Sequence, residues 1–274
     1  MTPSGSGAPV RDVLGAAIDS LRAAGCDTPE LDAGVLLADA LGVDRSDLVV
    51  NPDRPLPPPA SRLVMERVRR RAKREPVAYI LGTQGFRHIE LKVDRRVLIP
   101  RPETELLVEV AQELAPYAGS VHDVGTGSGA IAFALMDERP DLRVTASEVS
   151  AMALEVARAN AAALGLDVSP THAHGLPDGG PWDLVVANLP YVRQDEWAGL
   201  QPEITRYEPR EALISGADGL DAIRALVSQA KVGQLLALEH APDQGAAIRD
   251  LLDSAETRLD LAGRERVTFG RRPA

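Results

Sequence analysis

Val13, Leu14, Ala17, Ile18 and Leu21 recur at the three- and four-residue spacing of one helical face, and Gly25 closes the run. Asp27-Thr28-Pro29 opens a second helix through Leu31, Val35, Leu36 and Leu37, which Gly42 ends. From Asn51 to Pro59 five prolines exclude helix or strand interior, and a further helix is predicted over Ala60–Arg74. The pattern then changes period. Phe86 to Val97 alternates through Ile89, Leu91 and Val93, as in a hairpin or bridging strand pair. Beyond Glu103 helices and strands alternate, with strands expected at Ser120–Val124, Arg143–Glu148, Trp182–Asn188 and Gln234–His240 and a last hairpin across Arg258–Arg271. Ser150 caps a helix that runs to Leu164 and is closed by Gly165. Strands separated by helices imply βαβ units and a mainly parallel sheet. The expected organisation is a flexible tail (1–9), a small helical domain (10–80), a β-hairpin linker (81–99) and an α/β domain (100–274).

Composition narrows the class. Hydrophobic residues at 45% and charged residues at 26% are those of a soluble globular protein. No run approaches the ~18 apolar residues of a membrane helix, and Met1–Pro9 lacks the order of a signal peptide. Cys26 is the only cysteine, so a cysteine metal cluster is excluded, and a core thiol in a reducing cytoplasm is expected. A net charge of −10 argues against direct nucleic-acid binding. The charge is uneven: Arg62, Arg67, Arg69, Arg70, Arg71, Lys73 and Arg74 face a lone Glu66, as either a solvated helix face or a docking patch for a partner.

The strand Val121-His122-Asp123-Val124 runs into Gly125-Thr126-Gly127-Ser128-Gly129 and then an apolar helix. Glycines there allow a tight turn and close approach of a ligand to the backbone, though they also serve plain strand-to-helix packing. Glu148 ends the next strand, 148 − 127 = 21 residues on, where a carboxylate accepts from the ribose hydroxyls of an adenosine-type cofactor. The third glycine comes one residue too early for the dinucleotide pattern.

Trp182 to Tyr191 is an apolar strand ending in Asn188-Leu189-Pro190-Tyr191. At the carboxyl edge of a sheet these residues suit an amide or exocyclic amino nitrogen, whose delocalised lone pair makes it a poor nucleophile. The Asn188 side-chain oxygen and the Leu189 carbonyl can grip its two N–H groups, with Pro190 holding Leu189 extended and Tyr191 as an aromatic wall. No metal and no covalent nucleophile is required. The plainer reading is a proline-stabilised turn. His240 reads as a packed histidine, and Trp197 as part of a mobile loop that could face substrate.

The stretches "EPVAYILGTQGF", "VLIPRPETELLVE", "DVGTGSGAIA", "NLPY", "YEPREALISGADGL", "LEH" and "DLAGRERVTFGR" together resemble the release-factor glutamine methyltransferases (HemK/PrmC), over nearly the whole chain. The resemblance implies a Rossmann-like class I methyltransferase domain behind a helical substrate-docking domain. It implies S-adenosyl-L-methionine as cofactor and, as protein substrate, the glutamine of the Gly-Gly-Gln motif in class I release factors. By the same resemblance Gly125, Thr126, Gly127, Ser128 and Gly129 cradle the cofactor's methionine part and Glu148 its ribose. Asn188 touches cofactor and amide, Leu189, Pro190 and Tyr191 line the glutamine pocket, and Pro100 to Glu105 lie over the methionine end. The chain departs from the family pattern at Leu189 (usually proline) and Glu148 (usually aspartate). It departs again in the shortened loop "HAHGLPDGGPWD", where His174 takes the place of an aspartate. A monomer is expected. The open alternatives are a ribosomal-protein glutamine or nucleic-acid adenine methyltransferase and a noncatalytic cofactor-binding module.

Overall fold

The computed structural model describes residues 7–274, in two compact units that divide after Gly82. Residues 1–6 of the expected tail lie outside the described residues. Its last residues are not a tail: the Ala8 carbonyl accepts from Leu56 N, Val10 N donates to the Arg54 carbonyl, and Pro9 bridges Pro55.

The first unit is helical: α1 (Val10–Ala23), α2 (Pro29–Leu41), α3 (Arg45–Val50), α4 (Pro58–Ala72) and α5 (Val77–Leu81). The face read from the sequence is the buried one, with Val10, Ala17, Leu21, Leu37, Leu48, Val64 and Val68 in one core. Gly42 takes the left-handed φ of 64° that ends α2. Cys26 is a buried thiol of that core, 3.6 Å from the Arg71 carbonyl. The sequence places the start of α4 two residues late, because Pro58 and Pro59 occupy the first turn, where proline gives up no helical hydrogen bond. Much of the basic run is consumed inside this unit. Arg71 is buried against Asp32 at 2.6 Å, Arg70 forks onto Glu75, and Arg67 pairs with Asp39. Arg62, Arg69 and Lys73 remain exposed.

The second unit opens with the hairpin β1 (Thr83–Phe86) and β2 (Ile89–Lys92). It is no free linker, since Phe86, Ile89 and Leu91 are buried in the same core as Leu107 and Phe133. The main sheet comprises β3 (Ser120–Val124), β4 (Arg143–Glu148), β5 (Thr171–His172), β6 (Leu184–Ala187), β7 (Leu235–Glu239), β8 (Asp253–Leu259) and β9 (Glu265–Arg271). Its order is β5-β4-β3-β6-β7-β9-β8, parallel from β5 to β7, with β9 antiparallel to both neighbours. Helices α6 (Glu105–Leu114), α7 (Ala130–Glu138), α8 (Ala151–Leu164), α9 (Pro202–Tyr207), α10 (Asp221–Gln229) and α11 (Gly245–Arg249) complete it. Leu184 and Val186 enter one core and Val185 and Ala187 another, so β6 is apolar throughout because both its faces are covered. Between β5 and β6 there is no helix. Trp182 closes the short loop by stacking on His122, with ring centroids 4.4 Å apart. Among the described residues no helix is long and apolar enough to cross a membrane.

The strand order reverses at β3, which lies between β4 and β6. Open α/β sheets place their ligands in the crevice at such a switch point, beyond the carboxyl ends of the strands. Both sequence motifs, after β3 and after β6, arrive there.

Candidate active site

At the end of β3 the chain turns through Gly125 and Gly127, at φ 74° and 57°, a region costly for any side chain with a Cβ. Gly125 N and Thr126 N both donate to the Ser147 carbonyl, at 2.9 and 3.0 Å. Gly127 N donates to Glu148 Oε2 at 2.9 Å, and Ser150 N to Glu148 Oε1 at 2.8 Å. Glu148 therefore sets the turn while keeping a lone pair on each oxygen for a ligand. Asn160, on α8, ties the loop to the hairpin: its Nδ2 donates to the Ser128 and Lys92 carbonyls and its Oδ1 accepts from Lys92 N.

A pocket opens between this turn and the segment that follows β6. Gly125, Thr126, Gly127, Ser128, Glu148, Asn188, Leu189 and Pro190 all line it. A Cβ on Gly125 would sit 2.9 Å from Leu189 Cδ2, so the two motifs meet directly. Pro100, Arg101 and Thr104 form part of the wall, with Pro209 and Ala212. Glu208 joins those two segments, pairing with Arg101 and accepting from Ile99 N at 3.3 Å.

Two predicted positions stand elsewhere. Gly129 does not line the pocket; at φ 92° it starts α7, and a Cβ there would overlap the Phe133 ring at 1.9 Å. Tyr191 is not among the lining residues either. Its hydroxyl turns away to donate to Glu239 Oε1 at 3.3 Å, and its carbonyl accepts from Gln244 Nε2 at 2.9 Å. None of residues 172–181 lines the pocket, so His174 stands in for no ligand-facing aspartate there; Val149 and Ala153 supply apolar wall beside Glu148. Trp197 sits in a 3-10 turn with the Arg210 guanidinium 5.3 Å over its ring, and it too is absent from the lining. His240 is a packed histidine, its ring nitrogens 2.7 Å from the Ala241 carbonyl and 2.8 Å from Thr268 Oγ1.

The Asn188 side chain is oriented. Its Nδ2 donates to Thr104 Oγ1 at 3.0 Å, which leaves Oδ1 as the free acceptor. Glu239, fully buried at the end of β7, accepts from the Tyr191 hydroxyl. Burial pushes its carboxyl up to about 7, against the pull of the Thr104 hydroxyl and Arg266. The spacing of motifs gives no sign of Thr104, Glu208 or Glu239; only the phrases "PRPETE", "YEPRE" and "LEH" contain them.

Asp123, beneath the glycine turn, is also pushed up to about 7 by burial, against a 2.6 Å hydrogen bond from Thr126 Oγ1. A folded-state value above the unfolded one means that stability is lost as pH rises from the ordinary aspartate range through about 7. Asp123→Asn keeps an acceptor for Thr126 and removes that titration. Its stability relative to wild type is expected to grow by at most about 1.4 kcal/mol per pH unit across this window. Urea melts at about pH 5 and about pH 8 check it; an equal difference at both would show that Asp123 does not titrate there.

Residues 102–205 match the methyltransferase small domain and residues 12–82 the PrmC N-terminal domain. The hMettl16 catalytic domain, solved in complex with an RNA hairpin, aligns with a TM-score of 0.55 over 75% of this chain and 80% of its own, at 14% identity, a likeness of fold alone. Fold and site define a class I methyltransferase. Release factor glutamine methyltransferases of Xylella fastidiosa and Burkholderia pseudomallei are 43% and 42% identical to the chain. The matches span 89% and 94% of the chain and 93% and 96% of the relatives. The chain belongs to the release factor glutamine methyltransferase family.

Proposed function

We propose that this protein methylates the side-chain amide nitrogen of the glutamine in the Gly-Gly-Gln motif of class I peptide-chain release factors, with S-adenosyl-L-methionine as donor. The observation that carries the reading is the Asn188 amide, whose Nδ2 is taken by Thr104 and whose Oδ1 is left to a pocket that the glycine turn and Glu148 also line. The names of the relatives point to the same substrate.

The residues fit the cofactor. Gly125 and Gly127 leave room that side chains would fill, Glu148 keeps free lone pairs for ribose hydroxyls, and Val149 and Ala153 offer an apolar wall. When bound, the cofactor supplies an electrophilic methyl group. Asn188 Oδ1 and the Leu189 carbonyl accept from the two N–H bonds of the substrate amide, which favours a tetrahedral nitrogen with its lone pair directed into the pocket. Pro190 lines the approach, while Tyr191 acts from behind through Glu239. Most of the rate comes from holding the nitrogen in line, worth up to about 7–11 kcal/mol in favourable cases. The helical unit, with Arg62 and Arg69 exposed, serves to dock the release factor, and the enzyme works as a monomer in the cytoplasm.

Leucine in place of the family's proline does not cost the site its acceptor. Among the described residues the Leu189 N–H donates to nothing, so Leu189→Pro removes no hydrogen bond. The variant is expected to turn over at or above the wild-type rate; a folded but inactive enzyme would assign the Leu189 side chain a role in the reaction.

Transfer of radiolabelled methyl from S-adenosylmethionine to purified release factor tests the function. Label should appear on the wild-type factor and vanish when the motif glutamine is replaced. Label on DNA, RNA or a ribosomal protein, with none on the release factor, would overturn the assignment.

A further inference from the structure

The acceptor stretch, residues 188–190, is held by its flanks. Among the described residues neither the Leu189 N–H nor the Leu189 and Pro190 carbonyls take part in a hydrogen bond. On one side Ala187 is fixed in β6, between Val124 and Leu238. On the other side the chain makes an excursion, residues 188–220, before α10, and this excursion pairs with itself. Val192 N donates to the Leu213 carbonyl at 2.8 Å, Ser215 N to the Val192 carbonyl at 3.0 Å and Gln194 N to the Gly216 carbonyl at 3.0 Å. Those bonds give the excursion a shape without fixing where it stands against the sheet.

Gln244 supplies the place. It precedes α11, in the turn after β7, and is 3% exposed. Its Nε2 donates to the Tyr191 carbonyl at 2.9 Å and to the Asp218 carbonyl at 3.1 Å, near the two ends of the excursion. Its Oε1 accepts from Ala241 N at 3.0 Å. A carboxylate has no proton to give and a hydroxyl only one, so an amide suits this junction. The packing leaves no slack: Gly219 has a φ of 79°, and a Cβ there would overlap both the Tyr191 carbonyl oxygen and Gln244 Nε2. Two further ties reach the same region. Arg193 with Asp243 is an exposed pair that contributes little, and the bond from the Tyr191 hydroxyl to Glu239 holds the ring and not the backbone. Only Pro190 separates Leu189 from Tyr191, and its ring fixes one of the intervening torsions. A shift of the Tyr191 carbonyl is therefore passed on to the Leu189 carbonyl.

We infer that Gln244 is a positioning residue for methyl transfer: by holding the Tyr191 carbonyl it sets where the Leu189 carbonyl stands relative to Asn188 Oδ1. Gln244 lines no part of the pocket and acts through the backbone of the stretch that does. The inference rests on the proposed function for its kinetic consequence, while its structural part is read without any methyl transfer.

Gln244→Glu keeps the size and the acceptor for Ala241 N but turns oxygen lone pairs on two carbonyls. Gln244→Met keeps the length and removes both donors. Each is expected to lower kcat on release factor roughly ten- to a hundred-fold, since misplacing a reacting group by about 1 Å can cost that much. KM for release factor and the Kd for S-adenosylhomocysteine should stay close to wild type, because Glu148, the glycine turn and the helical unit are untouched. Gly219→Ala disturbs the same contact with Gln244 intact and should show the same split between kcat and KM. Combined with Gln244→Met it should lower kcat no further than the worse single variant, because both break one junction. Should the Gln244 variants fail to fold, as shown by melting, Gly219→Ala carries the test.

The structural arm uses NMR. Tyrosine labelled with 13C at its carbonyl and valine labelled with 15N mark a single peptide bond, the one between Tyr191 and Val192, because no other tyrosine in the chain precedes a valine. Its carbonyl resonance should move upfield in Gln244→Met and Gln244→Glu, as a carbonyl does when it loses a donor. If the wild type methylates no release factor while this resonance still moves, the proposed function falls and the Gln244 anchor stands. Wild-type kcat in the Gln244 variants or an unmoved resonance in Gln244→Met would overturn the positioning. So would a loss of stability in which kcat and cofactor binding decline together, the mark of a merely structural residue.

Discussion

Asn188→Ala is expected to leave an enzyme that binds its cofactor and its release factor but scarcely turns over. Deleting a transition-state hydrogen bond of this kind lowers kcat by about 10²–10³-fold. The bond concerned is the one from the substrate amide to Asn188 Oδ1, the only end of the side chain not engaged by Thr104. It strengthens as the amide nitrogen loses conjugation with its carbonyl, so the loss appears in kcat more than in KM. Asn188 lines the pocket as one of many residues, and the contacts proposed between the cofactor and Glu148 or the glycine turn are untouched by the substitution. Single-turnover methyl transfer with saturating cofactor and release factor isolates the step. Near-wild-type turnover would show that the Leu189 carbonyl alone grips the amide, and the reading of Asn188 as its partner would fall.

What was legible in the sequence is what lies at strand ends. Gly125 and Asn188 directly follow strands, Gly127 lies two residues beyond Gly125 and Glu148 is the last residue of its strand, and the order of the parallel strands brings those strand ends to one edge. The relation among more distant residues was not legible, because no local period encodes it. Thr104 meets Asn188 across 84 positions, Tyr191 meets Glu239 across 48, and Ile99 meets Glu208 across 109. Side-chain direction was hidden for the same reason. Tyr191 is placed as a pocket wall by its position after proline, but a buried carboxylate on β7 draws its hydroxyl the other way. The basic run reads as a surface patch until Asp32, Asp39 and Glu75 are brought beside it. In the fold, the missed pieces were the smallest: α3 and α5 with six and five residues, and β5 with two, too short to show a period.

Glu148 shows how one side chain can serve structure and ligand together, and that dual use predicts an unusual pair of variants. Each carboxylate oxygen already accepts from a backbone N–H, Gly127 on one side and Ser150 on the other. Glu148→Ala removes both acceptors and, with them, the bonds proposed to the cofactor's ribose. The expected loss is roughly 1–3 kcal/mol of cofactor binding, a five- to 150-fold rise in Kd. Glu148→Gln would ordinarily be the mild substitution, since it preserves size and one acceptor. Here it cannot be mild. Whichever way the amide turns, its NH2 group faces either Gly127 N–H or Ser150 N–H, donor against donor, within a buried turn. Relief requires the glycine turn to shift, and that turn lines the pocket proposed to hold the cofactor. Glu148→Gln is therefore expected to bind S-adenosylhomocysteine nearly as weakly as Glu148→Ala, and to melt at a lower temperature than wild type. Titration calorimetry and thermal melts of the three proteins, with NAD as a control ligand, provide the comparison. Wild-type affinity in Glu148→Gln would mean that the carboxylate's grip on the backbone is incidental, and that the turn is held by its glycines and the Ser147 carbonyl alone.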